Sequence, residues 1–258
     1  MQRTLLHITD CHLVPLGEDL QGTDTNATLN KVLTQALGEG TPDAIVATGD
    51  LVHTGGVAVY RQFMASLASA TDAPLLCTPG NHDFLAPMLE AGLPMSPLQV
   101  GPWSIVGLDS HEDDTPKACV DDQRRQALVR LWQQQQTQFA LLATHHPLLS
   151  IGAPWLDKDR IEAPEALMDS LMDSLNEQPM PSFGAAIFGH AHQEINAHYR
   201  GAPLFGTPST AFQFAPRSES FAMGSKIPGY RWLSLEDDGS VASQVRWLGD
   251  TPTQTSLT

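Results

Sequence analysis

Short apolar runs alternate with amphipathic stretches along most of the chain, and the early runs each stop in a cluster of Gly, Asp, His or Pro. Residues 5–9, 44–48, 74–78, 103–108, 139–144 and 185–188 read as buried strands. Between the first two, Leu29, Val32, Leu33, Ala36 and Leu37 recur at helical spacing, after Asp24 or Thr25 as N-cap and before the stop signals Gly38 and Gly40. A second helix carries Tyr60, Phe63, Met64 and Leu67 on one face. A polar helix over 122–136 buries Leu128, Leu131 and Trp132, and another spans about 164–176. After Gly189 the pattern changes to short strands at 195–199, 202–205, 230–235 and 241–247, with turns at Arg200-Gly201 and Asp237-Asp238-Gly239. The alternation predicts an α/β fold with an antiparallel, β-rich C-terminal part.

The motifs are spread over most of the length, which predicts a single domain over residues 1–249 and a disordered Thr/Ser/Pro-rich tail over 250–258. A chain of 258 residues can bury a full core without disulfides. No apolar run is long enough to span a bilayer, and residues 1–10 read as a strand rather than a signal peptide. Cys11, Cys77 and Cys119 are widely spaced and lack a C-x-x-C pair, which suits a reducing, cytoplasmic compartment and argues against a thiolate zinc site. The net charge of −15 repels polyanions and so disfavours a nucleic-acid polymer as partner. A small anionic substrate stays compatible, because bound cations reverse the local field.

Five polar clusters lie at the C-terminal ends of predicted strands, where open α/β sheets place their ligand sites: Asp10-Cys11-His12, Gly49-Asp50, Gly80-Asn81-His82-Asp83, His145-His146-Pro147 and Gly189-His190-Ala191-His192. Imidazole nitrogens combined with carboxylate and amide oxygens suit iron, manganese or zinc. A D-x-H or H-x-H pair after a strand can aim both side chains at one centre if the backbone bends there. Glycines at 49, 80 and 189 permit such bends and close approach.

These five elements, in this order from Asp10 to His192, resemble the calcineurin-like metallophosphoesterase superfamily. The resemblance implies a four-layer α-β-β-α sandwich and two divalent ions, iron or manganese, with zinc also admitted. It further implies that Asp10, His12 and His192 bind one ion, that Asn81, His145 and His190 bind the other, and that Asp50 is shared. His145 is preferred to His146 as ligand because relatives often use the first His of H-H-P.

The segments Gly107-Leu108-Asp109-Ser110, Gly206-Thr207-Pro208-Ser209-Thr210, Phe212-Gln213-Phe214-Ala215-Pro216 and Pro228-Gly229-Tyr230-Arg231 resemble the class III cyclic nucleotide phosphodiesterases. That resemblance implies a small phosphodiester substrate such as 3′,5′-cyclic AMP and leaves a homodimer open. The expected chemistry is attack by a hydroxide held between the two ions, with His82 protonating the leaving oxygen and Asp83 orienting His82. Glycerophosphodiesters, 2′,3′-cyclic nucleotides and simple esters are the alternative substrates, and a non-catalytic metal-binding regulator is the remaining alternative.

Other residues carry blander expectations. His7 and His198 are read as packing or surface residues, His53 as structural though close to the pocket, and His146 as either support for the site or loop packing. Cys11 should point into the core, and the acidic loop 109–114 should be solvated. Phe212, Phe214, Tyr230 and Trp232 offer rings able to stack a nucleobase or to pack a core or dimer.

Overall fold

The computed structural model describes residues 2–175 and 180–250; the tail expected over 250–258 and the end of the helix expected at Asn176 thus fall almost wholly outside the described residues. The chain runs β1 (Arg3–Ile8), α1 (Thr25–Glu39), β2 (Ala44–Thr48), α2 (Gly56–Ala70), β3 (Leu75–Thr78), α3 (Leu85–Glu90), β4 (Leu98–Val100) and β5 (Trp103–Leu108). It continues with α4 (Asp122–Gln133), β6 (Phe139–Thr144), α5 (Pro154–Asp157), α6 (Pro164–Leu175), β7 (Ser182–Phe188), β8 (Ile195–Tyr199), β9 (Ala202–Gly206), β10 (Gly229–Leu235) and β11 (Val241–Trp247). The first helix starts where its cap chemistry says it should, with the Asp24 carboxylate accepting from the Ala27 amide at 2.9 Å.

The strands form two mixed sheets, ordered β11-β10-β1-β2-β3 and β4-β5-β6-β7-β9-β8. Strands β1, β2 and β3 run parallel, as do β5, β6, β7 and β9, so their C-terminal ends lie together at one edge of each sheet. Alternate residues of one strand serve different cores. Leu6 and Ile8 face the core shared with α1 and α2, while Leu5 faces the second sheet. Ala140 and Leu142 pack toward α4 and α6, whereas Leu141 and Ala143 meet Leu5 and Val46 between the sheets. Three cores between four layers make an α-β-β-α sandwich, and burial on both faces explains why the strands read as continuous apolar runs.

The C-terminal strands do not form a unit of their own. The antiparallel β8–β9 pair extends the second sheet through β9 beside β7, and the β10–β11 pair extends the first through β10 beside β1. Both turns read from sequence, at Arg200-Gly201 and before Ser240, join these pairs.

Candidate metal centre

The five polar clusters sit just beyond β1, β2, β3, β6 and β7. Ten non-glycine residues among those described have positive φ, and five of them are Asp10 (51°), His12 (45°), Asp50 (48°), His190 (63°) and His192 (49°). Left-handed backbone at the first and third residues of D-x-H and H-x-H is the bend that turns both side chains to one side. Main-chain bonds hold these bends together: Asp10 N donates to Gly49 O at 3.0 Å, His12 N to Asp50 O at 2.8 Å, and Gly189 N to His145 O at 3.0 Å. Gly80 and Gly189 are required by proximity, because a Cβ at the first would strike the Asp50 amide and carboxylate and at the second the Thr9 hydroxyl.

The bends bring the seven expected donors together in two sets. Asp10 Oδ1 lies 3.2 Å from His192 Nε2, which lies 3.1 Å from His12 Nε2. Asn81 Oδ1 lies 3.1 Å from His145 Nε2 and 2.9 Å from His190 Nδ1, and those two nitrogens are 3.3 Å apart. Between the sets, Asp50 Oδ2 is 3.6 Å from His12 Nε2 and 3.5 Å from His145 Nε2. Donors bound at about 2.0–2.2 Å to one cation stand roughly 3 Å from one another, so both sets fit divalent ions.

The far ring nitrogens fix which face is free to bind. His145 Nδ1 donates to Thr48 O at 2.8 Å and His192 Nδ1 to Phe212 O at 2.6 Å, leaving both Nε2 lone pairs toward the centre. Burial, then the neighbouring imidazoles, pushes His12 and His190 well below the ordinary histidine range, which keeps them neutral as ligands must be. Burial would lift Asp10, but His192, His145 and the Thr9 hydroxyl, 2.7 Å away, together hold its carboxyl below the ordinary carboxylate range. Burial opposes charge on His145 too, yet Asp50 and Asp10 raise it overall. Cys11 is buried in the α1 core with its thiol pushed up to about 12, so no thiolate joins the donors.

His82 lies beside the two sets rather than within either. Its amide donates to Asp50 Oδ1 at 2.8 Å, and its half-buried ring stands 5.0 Å from His12 and 4.4 Å from His53. Asp83 works differently from the expectation. Its buried carboxylate accepts from Gly80 N at 2.9 Å, Leu51 N and Val52 N at 3.2 Å, and Tyr60 Oη at 2.8 Å. It therefore clamps the 80–83 turn to the Asp50 turn instead of holding the His82 ring. Burial, with the Asp50 charge next, pushes its pKa up to about 6.

His53 belongs to the site more closely than its sequence suggests, with Nδ1 3.3 Å from His12 Nδ1. His146 packs against His145 and His190, within 4.8 Å of their ligand atoms, but both its nitrogens are engaged elsewhere: Nδ1 meets Ser110 Oγ at 2.9 Å and Nε2 meets Pro116 O at 3.2 Å. His7 is buried between Thr48 Oγ1 and Thr207 Oγ1, each at 2.7 Å, while His198 is exposed. In the acidic loop Asp113 is exposed but His111 is buried, 2.8 Å from Asp113 Oδ1, so the loop folds over its own histidine. Of the four aromatic candidates, Phe212 and Phe214 stack on His12 and His192 at 5.9 Å and 3.9 Å. Tyr230 and Trp232 lie on the α1 side of the sheet, bonded to Gln35 at 2.9 Å and Glu39 at 3.1 Å, away from the centre.

Residues 3–194 match the family described as calcineurin-like phosphoesterase. Over 252 residues the chain is 34% identical to the 3′,5′-cyclic adenosine monophosphate phosphodiesterase CpdA of Pseudomonas aeruginosa, with 95% of this chain and 90% of the relative covered. The enzyme of the same name from Escherichia coli K12 is 33% identical over 256 residues, with 96% and 90% covered. Among solved structures, GAP50, the anchor in the inner membrane complex of Plasmodium, superposes with a TM-score of 0.60 at 12% identity, covering 98% of this chain and 90% of that one. That last likeness concerns the fold alone.

Proposed function

This chain belongs to the calcineurin-like phosphoesterase family, and on that premise we propose that it hydrolyses a small phosphodiester, 3′,5′-cyclic AMP to 5′-AMP foremost. One divalent cation would be held by Asp10, His12 and His192 and a second by Asn81, His145 and His190, with Asp50 available to both. The observation that carries this reading is the Asp50 carboxylate oxygen, 3.6 Å from a nitrogen of one set and 3.5 Å from a nitrogen of the other. Nitrogen and oxygen donors without thiolate favour iron or manganese and admit zinc. When bound, two such cations neutralise phosphoryl oxygens and acidify a water enough to supply a nucleophile near neutral pH.

The chain's own groups do the rest. As the bond from phosphorus to the ribose 3′ oxygen breaks, His82 delivers a proton to that oxygen. The Asp50–His82 amide bond at 2.8 Å keeps the donor beside the bridging carboxylate, and the Asp83 clamp fixes the turn that carries it. His145 and His192 are held in their binding tautomers by the carbonyls of Thr48 and Phe212. The cyclic nucleotide is favoured by the two phosphodiesterase relatives, each matched over nearly its whole length. A cytoplasmic site of action accords with three free cysteines, and among the described residues no helix is long and apolar enough to cross a membrane.

The test is a panel on the manganese-loaded protein: 3′,5′-cyclic AMP, 2′,3′-cyclic AMP, a glycerophosphodiester and a phosphomonoester. A clear kcat/KM preference for the first is expected. A preference for any other would move the assignment to that ester, because substrate choice resides in the pocket walls rather than in the shared centre.

A further inference from the structure

Beside His192, three aromatic rings gather outside all three cores. Phe214 lies on a short two-stranded ribbon, paired antiparallel with Met223 and closed by Gln213 N to Ser225 O at 2.7 Å and Ala215 N to Ala222 O at 2.8 Å. Phe214 stacks on the His192 ring at 3.9 Å and meets Phe221 edge-on at 5.6 Å. Trp155, on α5 after β6, stands 5.1 Å from Phe214 and 5.6 Å from Phe221. Its indole N–H donates to Ser218 Oγ at 3.0 Å, which ties the α5 loop to the ribbon. Phe221 is nevertheless 53% exposed, and none of the three rings belongs to a core cluster.

Packing alone does not account for this arrangement. A ring held edge-on by two others, half in water and one ring away from the His192 imidazole, offers a flat apolar surface on which another ring can stack. We propose that Trp155, Phe214 and Phe221 form the subsite for a flat heteroaromatic ring, the purine of the nucleotide whose phosphate lies at the metal centre. Stacking suits that ligand because every base offers a π-face, whereas the phosphate and ribose bring none. The inference rests on the phosphoesterase reading of the centre, and it adds what distinguishes a nucleotide from a simple ester there.

Isothermal titration of the manganese-loaded protein with 5′-AMP and with ribose 5-phosphate isolates the base, since the two ligands share a phosphate and a ribose. The parent should bind 5′-AMP about tenfold more tightly, within the range measured for a stacked base. Phe221→Ala should lose most of that gap through weaker 5′-AMP binding alone, and Phe221→Trp should keep it. Phe221 is exposed enough that neither change opens a core. Equal affinities in the parent, or a gap unchanged in Phe221→Ala, would overturn the subsite. Because the readout is binding, it stands apart from the substrate panel: a protein inert toward cyclic AMP would still show the gap if the subsite exists.

Discussion

The two donor sets that share Asp50 are backed by different parts of the molecule. Behind the Asn81, His145 and His190 set stands the sheet: His145 Nδ1 is bonded to the β2 carbonyl of Thr48, and His146 with Ser110 fills the space beyond. The Asp10, His12 and His192 set leans on loops: His192 Nδ1 donates to the Phe212 carbonyl at 2.6 Å, His12 Nδ1 stands against the His53 side chain at 3.3 Å, and the two rings stack on Phe212 and Phe214. Half-buried His53 and His82 both stand against His12 of this second set, with ring centroids 5.3 Å and 5.0 Å away. A ligand braced by strand main chain is as rigid as the fold, whereas one braced by side chains can be loosened by a single substitution. The set braced by loops is also the one whose His12 and His192 lie against His82, the proposed proton donor, and Phe214 of the proposed aromatic subsite.

Removing the shared carboxylate abolishes the comparison. Asp50→Ala should strip both sites, so that metal content measured by plasma mass spectrometry falls from two ions per chain to about none. His82→Ala should keep both ions yet lose turnover by about 10²–10⁴-fold, the usual range for a general acid; parent-level hydrolysis of cyclic AMP would remove its role. His53→Ala tests the asymmetry itself. It should weaken one cation by about 10–100-fold and spare the other, and equal weakening in a two-site manganese titration would mean that both sets are braced alike.

The smallest effect concerns His7, whose two ring nitrogens bond the Thr48 and Thr207 hydroxyls beneath the centre. Burial, then the Arg231 charge, pushes its pKa down from 6.5 to about 3. A lowered folded-state value means that the unfolded chain binds the extra proton, so the stability His7 contributes is present above about pH 6.5 and is lost as pH falls toward 3. Between pH 7 and 5 the unfolding free energy of the parent, read from urea titrations, should therefore fall more steeply than that of His7→Gln, by up to about 1.4 kcal/mol per pH unit well below the unfolded value. Parallel slopes would show that His7 is protonated in the folded state.

Much of this was legible in the chain because the signals are local. Strands β2, β5, β6, β8 and β11 have the bounds their apolar runs predict, and all seven donors fall within motifs of two to four residues. The helices α3 and α5 and the three-residue β4 went unread, being too short to show a period. Facing was harder. Strands buried on both sides carry no polar alternation, so sequence could not tell that Tyr230 and Trp232 point to α1 rather than to the centre. Contacts between distant loops were invisible for a similar reason: nothing near Trp155 or Phe221 announces that they meet, and His53 reads as an ordinary loop residue until His12 turns back upon it. Asp83 reads from sequence as the partner of its neighbour His82, because the four donors it actually accepts from come from three separate segments.

Anomalous diffraction from crystals grown with manganese tests the central claim most directly. Two peaks per chain are expected, each within bonding distance of one donor set and both touching the carboxylate of Asp50. A single peak, or two peaks of which only one contacts Asp50, would contradict a centre built around a shared carboxylate.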